Sequence, residues 1–249
     1  MNAVGVLAGR VAVVTGSARN IGRAIALDLA RGGAAVVVNA RTSVADAEVV
    51  AEEVRRAGGR AVVSIADVTD PHAAARLVAV AVESFGRLDI LVNNASVRRE
   101  MAFADLDYHE WREIMAITLD AAYVCSHAAL PHLMASGSGA IANIGGLSAH
   151  TGAARRAHVV TAKAGLVGLT RALAHDLAPN AITVNCVVPG LIDTVRRGAA
   201  PAHHATHAPL VGRLGKPEEI AALVRFLCGP EARYITGQTI HASGGAFLG

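Results

Sequence analysis

Short apolar runs alternate along the chain with longer stretches whose apolar positions return every three or four residues. The first pattern predicts strands buried on both faces, and the second predicts amphipathic helices. Strands are expected at 10–15, 35–39, 61–65, 88–93, 139–144, 182–188 and 238–242. Helices are expected at 21–31, 44–57, 71–85, 111–134 and 159–177, with another starting at Pro217. Gly58 and Gly59 close the second helix, because glycine takes the left-handed backbone that ends helices. Pro71 sits where a first helical turn tolerates proline, and the long helix is expected to be interrupted near Pro131. Strand and helix alternating in this way imply right-handed crossovers and one doubly wound parallel sheet, an α/β fold with helices on both faces. No internal repeat or low-complexity segment divides the chain, so residues 1–249 are expected to form a single domain. The least regular piece, 196–213, is rich in Ala, His, Pro and Gly and reads either as a lid or as a variable surface loop.

Composition narrows the core and the class. Hydrophobic residues make up 53% of the chain but aromatics only 3%, so the core must be built from Ala, Val, Leu and Ile. The net charge of +3 is spread over scattered Lys and Arg with no basic stripe, so a nucleic-acid partner is not expected. No uninterrupted apolar stretch reaches the ~18 residues of a membrane span, and no charged-then-apolar leader opens the chain. Cys125, Cys186 and Cys228 are far apart, with neither CxxC nor metal-ligand spacing. They read as small core residues of a protein in a reducing cytoplasm, and no metal is expected.

The segment Thr15-Gly16-Ser17-Ala18-Arg19-Asn20-Ile21-Gly22 joins the first strand to the first helix. Backbone amides at such a turn face a pyrophosphate at the positive end of the helix, as in a Rossmann-type dinucleotide site. Gly16 permits the tight turn and Gly22 the close approach of helix to sheet. The turn resembles the TGxxxGxG motif of the short-chain dehydrogenase/reductase (SDR) family, with Asn20 replacing one glycine; asparagine tolerates positive φ better than most side chains. The resemblance covers the whole chain and extends to bacterial 3-oxoacyl-reductase-like members. Asn93-Asn94-Ala95-Ser96 is similar to the family's NNAG motif, with Ser96 in place of glycine. Asp67, followed by Val68, matches the acidic position that meets the adenine ring. Pro189, Gly190, Ile192 and Thr194 match the segment that holds the nicotinamide carboxamide, and Ser243-Gly244-Gly245 matches the closing turn. An NAD enzyme places an acid at the end of the second strand to bind the ribose hydroxyls; this chain has Asn39-Ala40-Arg41. With Arg19 in the turn, two arginines stand ready for a 2′-phosphate, which favours NADP(H) over NAD.

The resemblance also implies a reaction centre of asparagine, serine, tyrosine and lysine. By position these fall at Thr118, Gly146, Val159 and Lys163. Three of the four are replaced. Gly146 has no side-chain donor and Val159 cannot transfer a proton, while Thr118 retains a hydroxyl able to hold a water. Ser148 and His158 are the nearby substitutes, with His150 in the same loop. On a helix, however, neighbours such as 158 and 159 point about 100° apart, which turns His158 away from the position of Val159. Lys163 retains the role of binding the nicotinamide ribose, with Schiff-base chemistry as the other reading. Arg155 and Arg156 read as a solvated face or as recognition of an acidic substrate. Three functions stay open: an NADP-dependent oxidoreductase with an atypical proton donor, acting on a small molecule; a non-redox cyclase, isomerase, dehydratase or lyase; and a non-catalytic partner subunit. The family's long central helices imply a homodimer or homotetramer.

Overall fold

The computed structural model describes residues 5–195 and 208–249. Seven strands form one fully parallel sheet: β1 Val11–Val14, β2 Ala35–Ala40, β3 Arg60–Ile65, β4 Ile90–Asn93, β5 Ala140–Ile144, β6 Thr183–Pro189 and β7 Thr239–Ala242. Their order is β3-β2-β1-β4-β5-β6-β7. The register Val11↔Ala35 and Ala12↔Ile90 places β1 between the two halves of the sheet. The order of the strands reverses there, between β1 and β4, and in open α/β sheets the crevice at such a switch point is where ligands bind.

Helices cover both faces. On one face α1 Asn20–Arg31, α2 Val44–Arg56 and α8 Pro217–Leu227 bury Ile25, Leu29, Val50 and Val224 against Val14, Val36 and Val38. On the other face α3 Pro71–Phe85, α5 Ala121–Ala135 and α7 Ala157–Leu177 cover Val13, Val37, Leu91 and Val184, while α4 Tyr108–Met115 packs through Ile114 against Val159 and Ala162 of α7. A short α6, Ser148–Thr151, follows β5. Every β1, β2, β4, β5 and β6 position is buried, which is why these strands read as unbroken apolar runs. All three cysteines are buried free thiols, as the sequence suggested.

Local chemistry sets the helix ends. The Asp70 carboxylate accepts from the backbone N–H of His72 and Ala73 at 3.0 and 3.3 Å, Pro71 takes the first helical position, and Gly86 ends α3 with φ +82°. The long central helix departs from expectation. It starts at Tyr108, where Asp107 caps the N–H of Glu110 at 2.8 Å, and its irregularity is a π turn over Ala116–Asp120. Pro131 lies inside α5, near its C-terminal end, where it removes one hydrogen bond without ending the helix. Among the described residues the run Tyr108–Ala135 is also long and apolar enough, by length and composition, to cross a membrane, which the sequence reading did not anticipate. In the fold it packs beside α3 and α7, with Cys125, Ala129 and Leu133 in the core.

Of the segment read as a lid, 196–207 lies outside the described residues. Its last part returns to the body through the Val211 N–H, which donates to Gly244 O at 3.1 Å, and through Arg213, which pairs with Glu219 at 2.7 Å.

Candidate active site

A cleft of about 330 Å³ opens across the switch point and runs from the glycine turn to the start of α7. Its two ends have different chemistry.

At the turn, Gly16 adopts φ +61° and Asn20 φ +52°, so the asparagine occupies the left-handed backbone that usually favours glycine. A Cβ on Gly22 would lie 2.4 Å from Gly16 O and 2.5 Å from Asn94 Nδ2, which leaves no room for any side chain there. The turn is held from several sides. Asn94 Nδ2 donates to Thr15 O and Gly16 O, both at 2.9 Å, and Thr15 Oγ1 accepts from the N–H of Asn94 and Ala95, both at 3.0 Å. Asn39 Oδ1 accepts from Gly16 N–H at 3.0 Å, while its amide nitrogen donates to Ser64 O and Ala66 O. No side chain caps α1 and no acid lies in its first turn. Its leading amides and the positive end of its dipole therefore face the cleft uncompensated. Arg19 and Arg41 both line this end, and neither is spent on a salt bridge or hydrogen bond among the described residues. Asp67 and Val68 line it too, with Asp67 Oδ1 accepting from Thr69 Oγ1 at 2.8 Å.

At the other end, Lys163 is buried yet lines the cleft. Its Nζ donates to Ile144 O at 2.6 Å. Burial, and then the nearby Arg98 and Arg156 guanidiniums, push its pKa from the ordinary 10.5 down to about 7. Val159 stands one helical turn before it and Gly146 beside it, both on the cleft wall. A Cβ at Gly146 would sit 3.7 Å from Lys163 Cγ, an ordinary contact, so the glycine is not required by crowding. Ser148 is buried and lines the cleft; its carbonyl accepts from Gly152 N–H at 3.0 Å, while its hydroxyl makes no hydrogen bond among the described residues.

The expected site residues are not all brought together. Gly16, Arg19, Asn20, Ile21, Gly22, Asn39, Arg41, Asp67, Val68, Asn94, Ala95, Lys163, Pro189, Gly190, Ile192, Gly146, Val159 and Ser148 share the cleft. Ser17 does not line it; its hydroxyl donates to Val14 O at 2.7 Å and accepts from Asn39 N–H at 3.0 Å, which fixes the turn from behind. Thr194 also lies off the wall, with Oγ1 3.5 Å from Ile192 O. Thr118 sits in the π turn and reaches the cleft only through Ser96, whose hydroxyl is 3.2 Å from its own. His158 is fully buried on the far side of α7, with Nε2 3.8 Å from Glu110 Oε1, and faces α4 rather than the cleft. Burial lowers its pKa, with Glu110 opposing. Arg155 and Arg156 part company: Arg155 is exposed at φ +60°, whereas Arg156 is buried and lines the cleft, so the solvated-face reading fails for Arg156.

Two features had not been expected. The Asn20 side chain bonds the Val195 backbone in both directions, Nδ2 to O at 3.3 Å and N–H to Oδ1 at 3.1 Å. It thus ties the turn to the strand-end segment 175 residues away. Arg98 joins Arg156 and Lys163 on the wall. Its sequence neighbour Arg99 is instead engaged by Glu110 and Glu113 on α4.

The geometry agrees with what the chain is similar to. The family model described as enoyl-(acyl carrier protein) reductase matches residues 16–246. The short-chain reductase protein NovJ of Streptomyces niveus is 39% identical over 245 residues, covering 94% of this chain and 93% of that protein. The 3-oxoacyl-(acyl-carrier-protein) reductase FabG of Staphylococcus aureus is 38% identical over 241 residues, covering 95% and 98%. Among solved structures, a short chain dehydrogenase from Burkholderia cenocepacia J2315 in complex with NADP matches with a TM-score of 0.90 at 38% identity, covering 96% of this chain and 98% of that one. With the glycine turn, the seven-strand order and matches of this extent, the chain belongs to the short-chain dehydrogenase/reductase family.

Proposed function

We propose that the chain is an NADP(H)-dependent oxidoreductase acting on a small molecule, in which Lys163 takes over the proton transfer that Val159 cannot perform. One observation carries this reading. Among the described residues on the cleft wall, Lys163 is the group beside Gly146 and Val159 that can hold or release a proton near neutral pH. Arginines do not titrate there. Asp67 is tied to Thr69 at the other end, and His158 faces away.

The residues present fit the nucleotide. The Gly16–Gly22 cradle admits no Cβ at its closest point, and the amides of α1 lie open to an anion. Arg19 and Arg41 would take the 2′-phosphate, Asp67 and Val68 the adenine end, Asn94, Ala95, Pro189, Gly190 and Ile192 the remaining wall. The Burkholderia relative with NADP supports that assignment. When bound, NADPH supplies a hydride. The chain does the rest: Val159, Ile117 and Leu191 exclude water, Ser148 offers a hydroxyl to the acceptor, and Lys163 gives a proton from Nζ to the atom that gains negative charge. A carbonyl, enone or neutral imine acceptor suits such a site, because hydride addition leaves an oxygen, carbon or nitrogen that takes up the proton. Self-association, as a homodimer or homotetramer, would use the outer side of the central helices, where Tyr108 and Tyr123 are exposed. Three free buried thiols fit a reducing cytoplasm.

The test is to identify any co-purified nucleotide by mass spectrometry and follow nicotinamide absorbance with a panel of ketones, enones and imines. The expected result is NADPH loss in step with reduced product. Lys163→Arg, which keeps the charge but cannot titrate near neutrality, should keep NADPH binding and slow turnover by about 10²–10⁴-fold. Product without net nucleotide change would instead favour a non-redox enzyme. Nucleotide binding without any product across the panel would favour a partner subunit.

A further inference from the structure

The chain has two lysines, Lys163 and Lys216. Lys216 is exposed just before α8, whereas Lys163 is buried on α7 and lines the cleft. No carboxylate pairs with Lys163 among the described residues, and its hydrogen bond there runs from Nζ to Ile144 O at 2.6 Å. An ammonium carries three N–H donors. With a single carbonyl to receive them and no counter-charge, burial disfavours the charged form. The pKa accordingly falls from 10.5 to about 7.

A lysine in this state is a nucleophile, because the amine and not the ammonium attacks a carbonyl carbon. The space such an attack needs is open. Beyond its chain neighbours, a Cβ placed on Gly146 would meet within 4 Å only the Cγ and Cδ of Lys163, at 3.7 and 3.9 Å. Val159, one helical turn earlier on the same wall, has no hydroxyl to hold the nitrogen. Ser148 lines this wall as well, and its hydroxyl, which makes no hydrogen bond among the described residues, is available to pass a proton to a departing oxygen. Ile117, Leu147 and Leu191 add an apolar lining.

We propose that Lys163 is a covalent site for carbonyl compounds: its amine adds to the carbon of an aldehyde or unhindered ketone in the cleft and, with loss of water, holds it as an imine. The nitrogen forms the C–N bond while the C=O π pair moves to oxygen, which takes up a proton. The C–O bond of this carbinolamine then breaks as C=N forms, and the oxygen leaves as water carrying the two hydrogens of the amine. No oxidant or reductant is consumed. The inference rests on the proposed placement of an acceptor carbonyl beside Nζ. That carbonyl meets a proton donor when the nitrogen is an ammonium and a nucleophile when it is an amine.

The experiment treats the full chain, with no nucleotide added, with hexanal or acetaldehyde and sodium cyanoborohydride at about pH 7.5, where an ordinary free lysine amine is almost wholly protonated. Cyanoborohydride delivers hydride to the imine carbon and fixes the adduct as a secondary amine, which peptide mass spectrometry locates. Lys163 should take the label about tenfold or more faster than Nα-acetyl-lysine in the same solution. Its rate should saturate with aldehyde concentration, and half-saturation should come about tenfold or more lower for hexanal than for acetaldehyde, since each buried methylene adds to binding. Gly146→Leu fills the open space and should slow labelling at Lys163 but not at Lys216. Label confined to Lys216 and the terminal amine, a Lys163 rate no faster than that of Nα-acetyl-lysine, or a rate linear in aldehyde with no preference for hexanal would overturn the site, and these readings need no variant. An unchanged Lys163 rate in folded Gly146→Leu would overturn it too. NADPH oxidation, followed separately with the same aldehydes, distinguishes this inference from the proposed reduction. Oxidation without label at Lys163 would refute the imine site alone, whereas label at Lys163 without oxidation would uphold it and count against the reduction.

Discussion

Replacing Lys163 by methionine isolates what it costs to hold an ammonium in this cleft. The group is buried, bonded to Ile144 O at 2.6 Å, and its pKa falls from 10.5 to about 7, chiefly through burial and then through Arg98 and Arg156. Below about pH 7 the amine is protonated in both the folded and unfolded chain, and the folded state carries the full cost, on the order of 5 kcal/mol. Between about 7 and 10.5 the unfolded chain binds the extra proton, so the stability of the natural protein rises with pH across that window. Above it the amine is neutral in both states and the cost is gone. Methionine has a comparable length and no charge, and loses only the bond to Ile144, worth about 1 kcal/mol at any pH. Without nucleotide, Lys163→Met should therefore be more stable than the parent at pH 6. That advantage should shrink by about 1.4 kcal/mol per pH unit above 7, or about 3 kcal/mol by pH 9. Urea unfolding of both proteins at matched pH values measures it. A stability difference that stays constant from pH 6 to 9 would refute the buried, depressed lysine.

Other consequences follow from the same geometry. Gly146→Ser combined with Val159→Tyr restores a hydroxyl on each side of Lys163; the serine Cβ meets only ordinary contacts. In a nicotinamide absorbance assay with simple ketones the double variant should gain reductase activity by about 10²-fold or more, and a folded, NADPH-binding variant with no gain would refute the account of the lost groups. Arg41→Ala should weaken NADPH about tenfold and leave NADH nearly unchanged in fluorescence titrations, because only the former carries the 2′-phosphate; equal losses would count against the assignment. Gly22→Ala forces a methyl against Gly16 O and Asn94 Nδ2, so it should lower stability by about 1–3 kcal/mol and nucleotide affinity with it; a variant that binds normally would show that the turn is not the cradle.

Much of the fold was legible because most of its strands are buried on both faces and the helices between them are amphipathic or, in places, clearly capped. Asp70, Pro71 and Gly86 mark α3 with residues whose backbone preferences leave little choice. The π turn left no such mark, since a widened turn needs no special residue type, and Pro131 drew attention to the wrong place. At the glycine-turn end of the cleft, composition and position sufficed, because backbone geometry shapes the turn and glycine is its signature; even the left-handed conformation of Asn20 followed from its side chain. The partners of Asn20 did not follow, because Val195 is remote in sequence. At the Lys163 end, position singled out Thr118, Gly146 and Val159, but not what each of them meets in the fold. Ser96 and Thr118, each read from the resemblance as a replaced motif position, meet as a hydroxyl pair. Arg155 and Arg156 are identical in type and adjacent, and only the φ of +60° at Arg155 and the start of α7 send one outward and the other into the cleft. The helical rotation that turned His158 away from Val159 was readable in advance; its neighbour Glu110 was not.

The pH dependence of NADPH oxidation, measured under saturating nucleotide with the first substrate that turns over, bears most directly on the proposed role of Lys163. If Lys163 is the acid, the rate is full while its ammonium is protonated and falls as pH rises through about 7, and Lys163→Arg lowers the rate and removes that transition. A rate that stays level to pH 9, or a transition unchanged in Lys163→Arg, would contradict the account.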